Sequence, residues 1–374
     1  MLNLKLFNFD HGFVRPSAVA VGPYTIEVSA LHCENLSRLP QRAKHTYTWD
    51  TNGRPIVIPH AAQQGEFVET AVAVCSEEAR PSVLFPGFSP SEHDLIVLLS
   101  FITGRRVYLE DDLSGDPRRT YGERLLSHSS IQRVLPNIWN QFSALHALGL
   151  SDALGCIINA PLAPDLIGRG AYANAAFDAI CTSWSKSEKR TKYDSQPILE
   201  RAKKKAMAIL DETILVKSRN LLARRFSIEN ISQNIVADVT ARIQLHPSAL
   251  QKATWFLQKH ELFPDNPSIE EVGRLKWLNH VRNAIMHSGS VYQGKGMDIQ
   301  TSSRVSGAAV MLTHLIATYY IAHVALGLDG PEIVTMKSEV NEYFLHGTFR
   351  NQKVFVESYE QFMEKMEREW TEAS

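Results

Sequence analysis

The stretch SIEEVGRLKWLNHVRNAIMHSG, residues 268–289, has the pattern of a complete helix and directs the interpretation of the whole chain. Ser268 and Glu271, three residues apart, form the capping-box pattern of a helix start. Gly289 comes directly after the last predicted turn, where glycine commonly ends a helix. The sequence therefore predicts one helix with both ends marked.

Polar side chains recur along one side of this predicted helix. A helix turns about 100° per residue, so Asn283 and His287 share a face and His280 lies on the same stripe. Arg282 lies about 7.5 Å along the axis from His287, a gap that a long arginine side chain can close. The opposing apolar stripe consists of Leu278, Val281 and Ile285. The sequence predicts a polar stripe carrying a cation, an amide and an imidazole.

These side chains suit phosphodiester chemistry without a metal. An imidazole exchanges protons near neutral pH, and a guanidinium binds phosphate and stabilises the charge of the transition state. Attack of an RNA 2′-OH on its own phosphate is the matching reaction, because the substrate supplies the nucleophile. The candidate catalytic residues are Arg282, Asn283 and His287, with His280 in a supporting role.

The pattern Arg282-Asn283-xxx-His287 resembles the R-x(4–6)-H motif, in its RNxxxH form, of the HEPN superfamily. HEPN domains are helical bundles found in ribonucleases of phage defence, toxin–antitoxin and CRISPR systems. The resemblance covers about residues 190–330. The layout, a strand-rich domain before the bundle, resembles that of ApeA-like defence proteins.

The resemblance implies an activity and a set of partners. Arg282 and His287 would carry catalysis, and Asn283 would support it. RNA would be cut without a metal or cofactor, leaving a 2′,3′-cyclic phosphate. Two copies would form a homodimer with facing motifs. The implied role is antiphage defence or toxin-like growth arrest, with a phage-derived trigger or an antitoxin as a further partner.

Other interpretations fit the same residues. The bundle can be a non-catalytic HEPN-like module for dimerisation or partner binding, or the chain can be an RNA-binding regulator. A solvated helix face, with His287 favoured by the helix dipole at the C-terminal end, also produces this pattern.

The chain as a whole predicts an α+β protein of four segments. Residues 1–125 are rich in β-branched and aromatic residues and predict a strand-rich mixed domain for recognition or regulation. Residues 126–189 predict a helical connecting region, because their apolar residues follow a helical period. Residues 190–330 predict the all-α HEPN bundle, and residues 331–374 predict a C-terminal helical extension.

Charge restricts how nucleic acid could bind. Lys and Arg total 39 against 40 Asp and Glu, a net charge of −1, so any nucleic-acid contact must be local. A solvated helix face is the alternative explanation of the densest basic cluster. The candidate RNA-backbone contacts are Lys203, Lys204, Lys205, Arg224 and Arg225.

Several other classes are excluded by the motifs that the sequence lacks. The four cysteines are too widely spaced for a CxxC zinc ribbon or a disulfide scaffold. HExxH, Walker and GxSxG motifs are absent, so we expect no metal and no cofactor. No apolar signal-peptide core follows the N-terminus, and His314 and His323 interrupt the apolar run 305–328. We expect a cytoplasmic protein that makes no membrane contact.

Overall fold

The computed structural model places strands early in the chain and helices through most of the later residues that it describes, which confirms the α+β class. It forms two compact units, Met1–Ser183 with His260–Ser374, and Trp184–Lys259. The division into four segments stays a prediction. The structure describes residues 2–40, 45–49, 55–59, 66–75, 81–86, 91–114, 117–118, 124–188, 248–294, 297–350, 352–353, 359–360 and 362–364.

Five antiparallel strands form the sheet of the first unit. The strands of the N-terminal region are β1 Leu2–Phe7, β2 Ser17–Val21, β3 Tyr24–Val28, β4 His45–Trp49, β5 Pro55–Pro59, β6 Glu69–Cys75 and β7 Tyr108–Leu109. The sheet order is β2-β3-β6-β1-β7, so the first strand lies inside the sheet. Its register pairs Leu2 with Cys75 and Phe7 with Glu69.

Strands β4 and β5 pair antiparallel in a separate two-stranded sheet, with His45 opposite Pro59. The sequence between them, Asn52-Gly53, predicts a hairpin turn because it tolerates a positive φ, and it lies outside the described residues.

A glycine turn positions the sheet against its covering helix. Gly22 has a φ of +56° between β2 and β3, a conformation that glycine adopts without strain. A Cβ at Gly22 would lie only 2.4 Å from the Trp139 ring, so the turn and the indole are in direct contact. The Trp139 ring also meets Tyr24 edge-on, 6.1 Å between centroids. Glycine at position 22 therefore permits the close approach of sheet and helix.

Nine α-helices are described. They are α1 Ala30–Asn35, α2 Ser91–Thr103, α3 His128–Ala144, α4 Ser151–Asn159, α5 Leu166–Ser187, α6 Ala249–Lys259, α7 Ile269–Ser288, α8 Ile299–Tyr319 and α9 Pro331–His346. A short hairpin, β8 Thr348–Phe349 with β9 Gln352–Lys353, follows α9. The sequence predicts only helix for this last region, so the hairpin corrects that expectation.

Helices α5, α7 and α8 approach closely around one glycine. A Cβ at Gly170 of α5 would lie 3.0 Å from Ile285 of α7 and 3.1 Å from Val310 of α8. Helices α7, α8 and α9 also contact one another. Helix α7, which carries the Arg–Asn–His motif, is therefore fixed on its buried side by several helices of the first unit.

The apolar run of the sequence forms α8 and continues as a π-helix, Tyr320–Ala325. By length and composition this helix could span a membrane, and 72% of its most apolar window is buried inside the protein. Both of its histidines bond to backbone carbonyls, His314 to Ile157 and His323 to Leu328. Most of this apolar run therefore belongs to the core of the first unit.

The second unit is described at its two ends only, residues 184–188 and 248–259. The buried Phe256 of α6 meets the ring of Trp184 edge-on, 6.1 Å between centroids.

Candidate active site on helix α7

The ends of α7 are fixed as the sequence predicts. The Ser268 hydroxyl accepts from the Glu271 backbone N–H at 3.3 Å, and the Glu271 carboxylate accepts from the Ser268 N–H at 2.6 Å. Gly289 takes the left-handed conformation, with φ 60°, and its N–H donates to the Ile285 carbonyl. The capping box and the glycine end are both confirmed, and they place the motif residues in the last two turns.

The guanidinium of Arg282 is buried against α5. Its Nε donates to the Asn174 Oδ1 at 2.6 Å, and its Nη2 donates to the Asp178 Oδ1 at 2.7 Å. It also lies over the Phe177 ring, 4.7 Å from the centroid. Only 6% of the Arg282 side chain is exposed, whereas the Asp178 side chain is 56% exposed. The ion pair therefore has one buried partner and one that reaches solvent.

This burial corrects the sequence analysis at one point. Arg282 was expected on the polar stripe with Asn283 and His287, yet it lies on the buried side of α7 with Val281 and Ile285. The physical reason is angular: residues 282 and 287 differ by about 140° around the axis. Helix α5 supplies polar partners that satisfy the buried cation.

Asn283 and His287 lie on the exposed face of α7, as predicted. Neither side chain has a hydrogen bond to another residue in the described part of the chain. The imidazole of His287 is thus accessible at the C-terminal end of the helix. These two residues are available for a ligand.

His280 belongs to a different group of side chains. It is exposed on the same stripe, but its ring stacks beside Phe362 and meets Tyr292 edge-on, with centroids 6.0 and 5.3 Å away. The cluster continues to Trp277 and Tyr359. His280 and His287 are separated by about 10.5 Å along the helix axis. The structure does not bring His280 to His287.

Asn174 and Asp178 are the residues that the sequence analysis missed. They are spaced four apart on α5, with Phe177 beside them, so the three form one face toward Arg282. The available signal was an amide and a carboxylate at helical spacing within the apolar run AYANAAFDAI. In addition, the Nδ2 of Asn174 is buried and has no hydrogen-bond partner among the described residues.

The other predicted contacts are not part of this site. Lys203, Lys204, Lys205, Arg224 and Arg225 lie outside the described residues. Within the described ranges, no three histidine, cysteine, aspartate or glutamate side chains are grouped so that they could hold a metal ion.

The arrangement can perform proton transfer at an exposed imidazole, with an amide one turn away. A cation lies on the adjacent buried side, anchored by Asn174 and Asp178. Comparisons with protein-family models, curated proteins and solved structures found no match to this chain.

Proposed function

We propose that this protein is a metal-independent endoribonuclease of the HEPN type, acting in antiphage defence or growth arrest. The observation that carries the proposal is the exposed pair Asn283 and His287. Asn283 directly follows Arg282, whose guanidinium is held in place by two polar partners, and His287 lies one turn after Asn283. The motif resemblance supports the same function. RNA is the substrate, a homodimer is the active form, and a phage-derived trigger or an antitoxin controls it.

In the proposed reaction, the His287 imidazole accepts the proton of an RNA 2′-OH as that oxygen attacks the adjacent phosphorus. The bond from phosphorus to the 5′ oxygen breaks, and the leaving oxygen takes the proton from the His287 imidazolium. The products are a 2′,3′-cyclic phosphate and a 5′-OH. The buried Arg282 contributes positive charge from behind this face without contacting the phosphate, and Asn283 orients the imidazole or the substrate.

The burial of Arg282 favours a second candidate function. The Arg282 guanidinium, hydrogen-bonded to Asn174 and Asp178, stabilises the contact between α5 and α7. A helical bundle stabilised in this way can function without catalysing a reaction. In that case the protein is a HEPN-like dimerisation or interaction module, or an RNA-binding regulator.

Digestion of total cellular RNA by the purified full chain in EDTA tests the two candidates. If the protein is a ribonuclease, the wild type cleaves RNA and leaves cyclic phosphate ends, and His287→Ala does not cleave. His346→Ala is the matched control, because His346 is also an exposed histidine in the last turn of a helix. We expect this variant to cleave as the wild type does.

Control by a trigger is included by repeating the digestion with extract from phage-infected cells. Cleavage that persists in His287→Ala would refute the proposed role of this residue. Absence of cleavage under both conditions, with a folded chain, would favour the interaction module. If RNA binds without being cleaved, and its affinity for the protein falls steeply as salt is added, the RNA-binding regulator is favoured instead.

A further inference from the structure

A cavity of about 170 Å³ lies in the first unit, away from the motif residues of α7. Its walls come from α2, α4, α5, α8 and α9, and from the residue that follows β8. A cavity of roughly 150 Å³ holds a benzene molecule. The cavity is therefore large enough for a ligand with one six-membered ring.

The inner wall of the cavity is mostly apolar. Phe101, Ile157, Leu315 and Met336 are all buried and line it. Met311 lies at the opening, where its side chain is 45% exposed. A ligand can therefore enter from solvent and place an apolar group against the wall.

The polar groups of the lining are cationic or neutral. Arg169, Arg350 and His314 line the cavity, and none of the described lining residues is acidic. The Arg169 Nε donates to the Ala163 carbonyl at 3.0 Å, which holds this side chain in place. Arg350 is 38% exposed and pairs with Glu339 at 3.2 Å. Two guanidinium groups at one cavity, one of them already paired with Glu339, favour an anion over a cation.

One hydroxyl in the wall lacks a partner. Thr318 is 7% exposed, and its Oγ1 has no hydrogen-bond partner within the described residues. A buried hydroxyl left unsatisfied costs stability. The Thr318 Oγ1 is itself shielded from the cavity, and a rotation of the side chain that lets a ligand oxygen bond to it would recover part of that cost.

We propose that this cavity binds a small organic anion with a ring-sized apolar body and one carboxylate or phosphate group. The anionic group lies at the mouth beside Arg169 and Arg350, and the apolar body lies against Phe101 and Leu315. The Thr318 hydroxyl bonds to a polar atom of the ligand. This binding is independent of RNA cleavage.

Calorimetric titration of the full chain tests the proposal, with benzoate and phenyl phosphate as the two anionic probes. Benzyl alcohol is the neutral probe of similar size. We expect at least one anion to bind about tenfold more tightly than benzyl alcohol, because a charge-assisted bond to arginine is added. Inorganic phosphate should bind more weakly than phenyl phosphate, because it lacks the apolar body.

Two variants locate the binding. Arg350→Gln should lower the affinity for the anionic probes by about tenfold, and Thr318→Val should lower it by roughly threefold. Arg38→Gln is the matched control: Arg38 is exposed, pairs with one carboxylate at 3.3 Å, and does not line the cavity. Thermal denaturation of each variant checks that it is folded.

The proposal is overturned if neither anion binds saturably, or if both cavity variants bind as the wild type does. Equal affinity for inorganic phosphate and phenyl phosphate would overturn the apolar part of the assignment. If benzyl alcohol binds as tightly as benzoate and phenyl phosphate do, the anionic part of the assignment is overturned.

Discussion

At the residue scale, Arg282 has a structural role that is separable from any catalytic one. Replacing it with alanine removes the donor to Asn174, the partner of Asp178 and the contact with Phe177. We expect Arg282→Ala to lower the free energy of unfolding by about 2–3 kcal/mol.

His287→Ala, on the exposed face, should change that free energy by less than about 0.5 kcal/mol. Urea denaturation measures both values. Equal stability of the two variants would contradict the structural role of Arg282, and activity assays of Arg282 variants need this measurement beside them.

The second prediction at this scale concerns His11, whose buried ring is held neutral. Its Nε2 donates to the Thr70 carbonyl at 3.0 Å, and its Nδ1 accepts from the Phe13 N–H at 2.9 Å. Burial lowers the pKa of His11 from 6.5 to about 4. As the pH falls below about 6.5, His11 becomes protonated in the unfolded chain but stays neutral in the folded chain.

The stability from His11 is therefore fully present above about pH 6.5 and is lost as the pH falls toward 4. The loss is at most about 3 kcal/mol. Denaturation of the wild type and His11→Gln across this pH range measures the difference. We expect a flatter pH dependence in the variant, and an unchanged slope would show that another group is responsible.

At the element scale, the caps of α7 contribute measurable stability. Ser268→Ala removes the acceptor of the Glu271 N–H, and we expect it to lower the free energy of unfolding by about 1 kcal/mol. Ser143→Ala is the control, because Ser143 is a half-buried serine near a helix end whose hydroxyl donates to the Asn140 carbonyl and caps no helix start. A loss of similar size in both variants would contradict the capping role.

Elements with local signals were predictable from the sequence. The capping box, Gly289 and the hairpin from β4 to β5 each depend on residues close together in the chain. Strand β1 was missed even though LNLKLF alternates, because its partners β6 and β7 lie far along the chain. The π-helix after α8 likewise has no local sequence signal, since its hydrogen bonds depend on tertiary packing.

At the scale of the whole molecule, the candidate site could be predicted only in part. The motif identified the exposed residues Asn283 and His287, because helical spacing assigns residues to a stripe. The burial of Arg282 depends on Asn174 and Asp178, more than a hundred residues earlier in the chain. A pairing across that separation is set by how α5 packs on α7, which spacing within one helix does not reveal.

The proposed homodimer gives the prediction at this scale. Met286 precedes His287 and is 46% exposed, so facing motifs would bury it. We expect a wild-type mass near twice the 42.0 kDa chain by light scattering. Met286→Glu should give monomers and should abolish RNA cleavage at the same time.

Val334→Glu is the control for this experiment, because Val334 is an exposed apolar residue on α9. It should remain a dimer and remain active. Monomers that still cleave RNA would show that the two motifs act independently.

The position of β1 inside the sheet has a consequence for synthesis on the ribosome. Residues 2–7 are synthesised before both of their partners, β6 at residues 69–75 and β7 at residues 108–109. At about 5–20 residues per second, the nascent strand waits several seconds with its backbone unpaired. During that interval the leucines of LNLKLF have no sheet to pack in, and chaperone binding to this segment competes with aggregation.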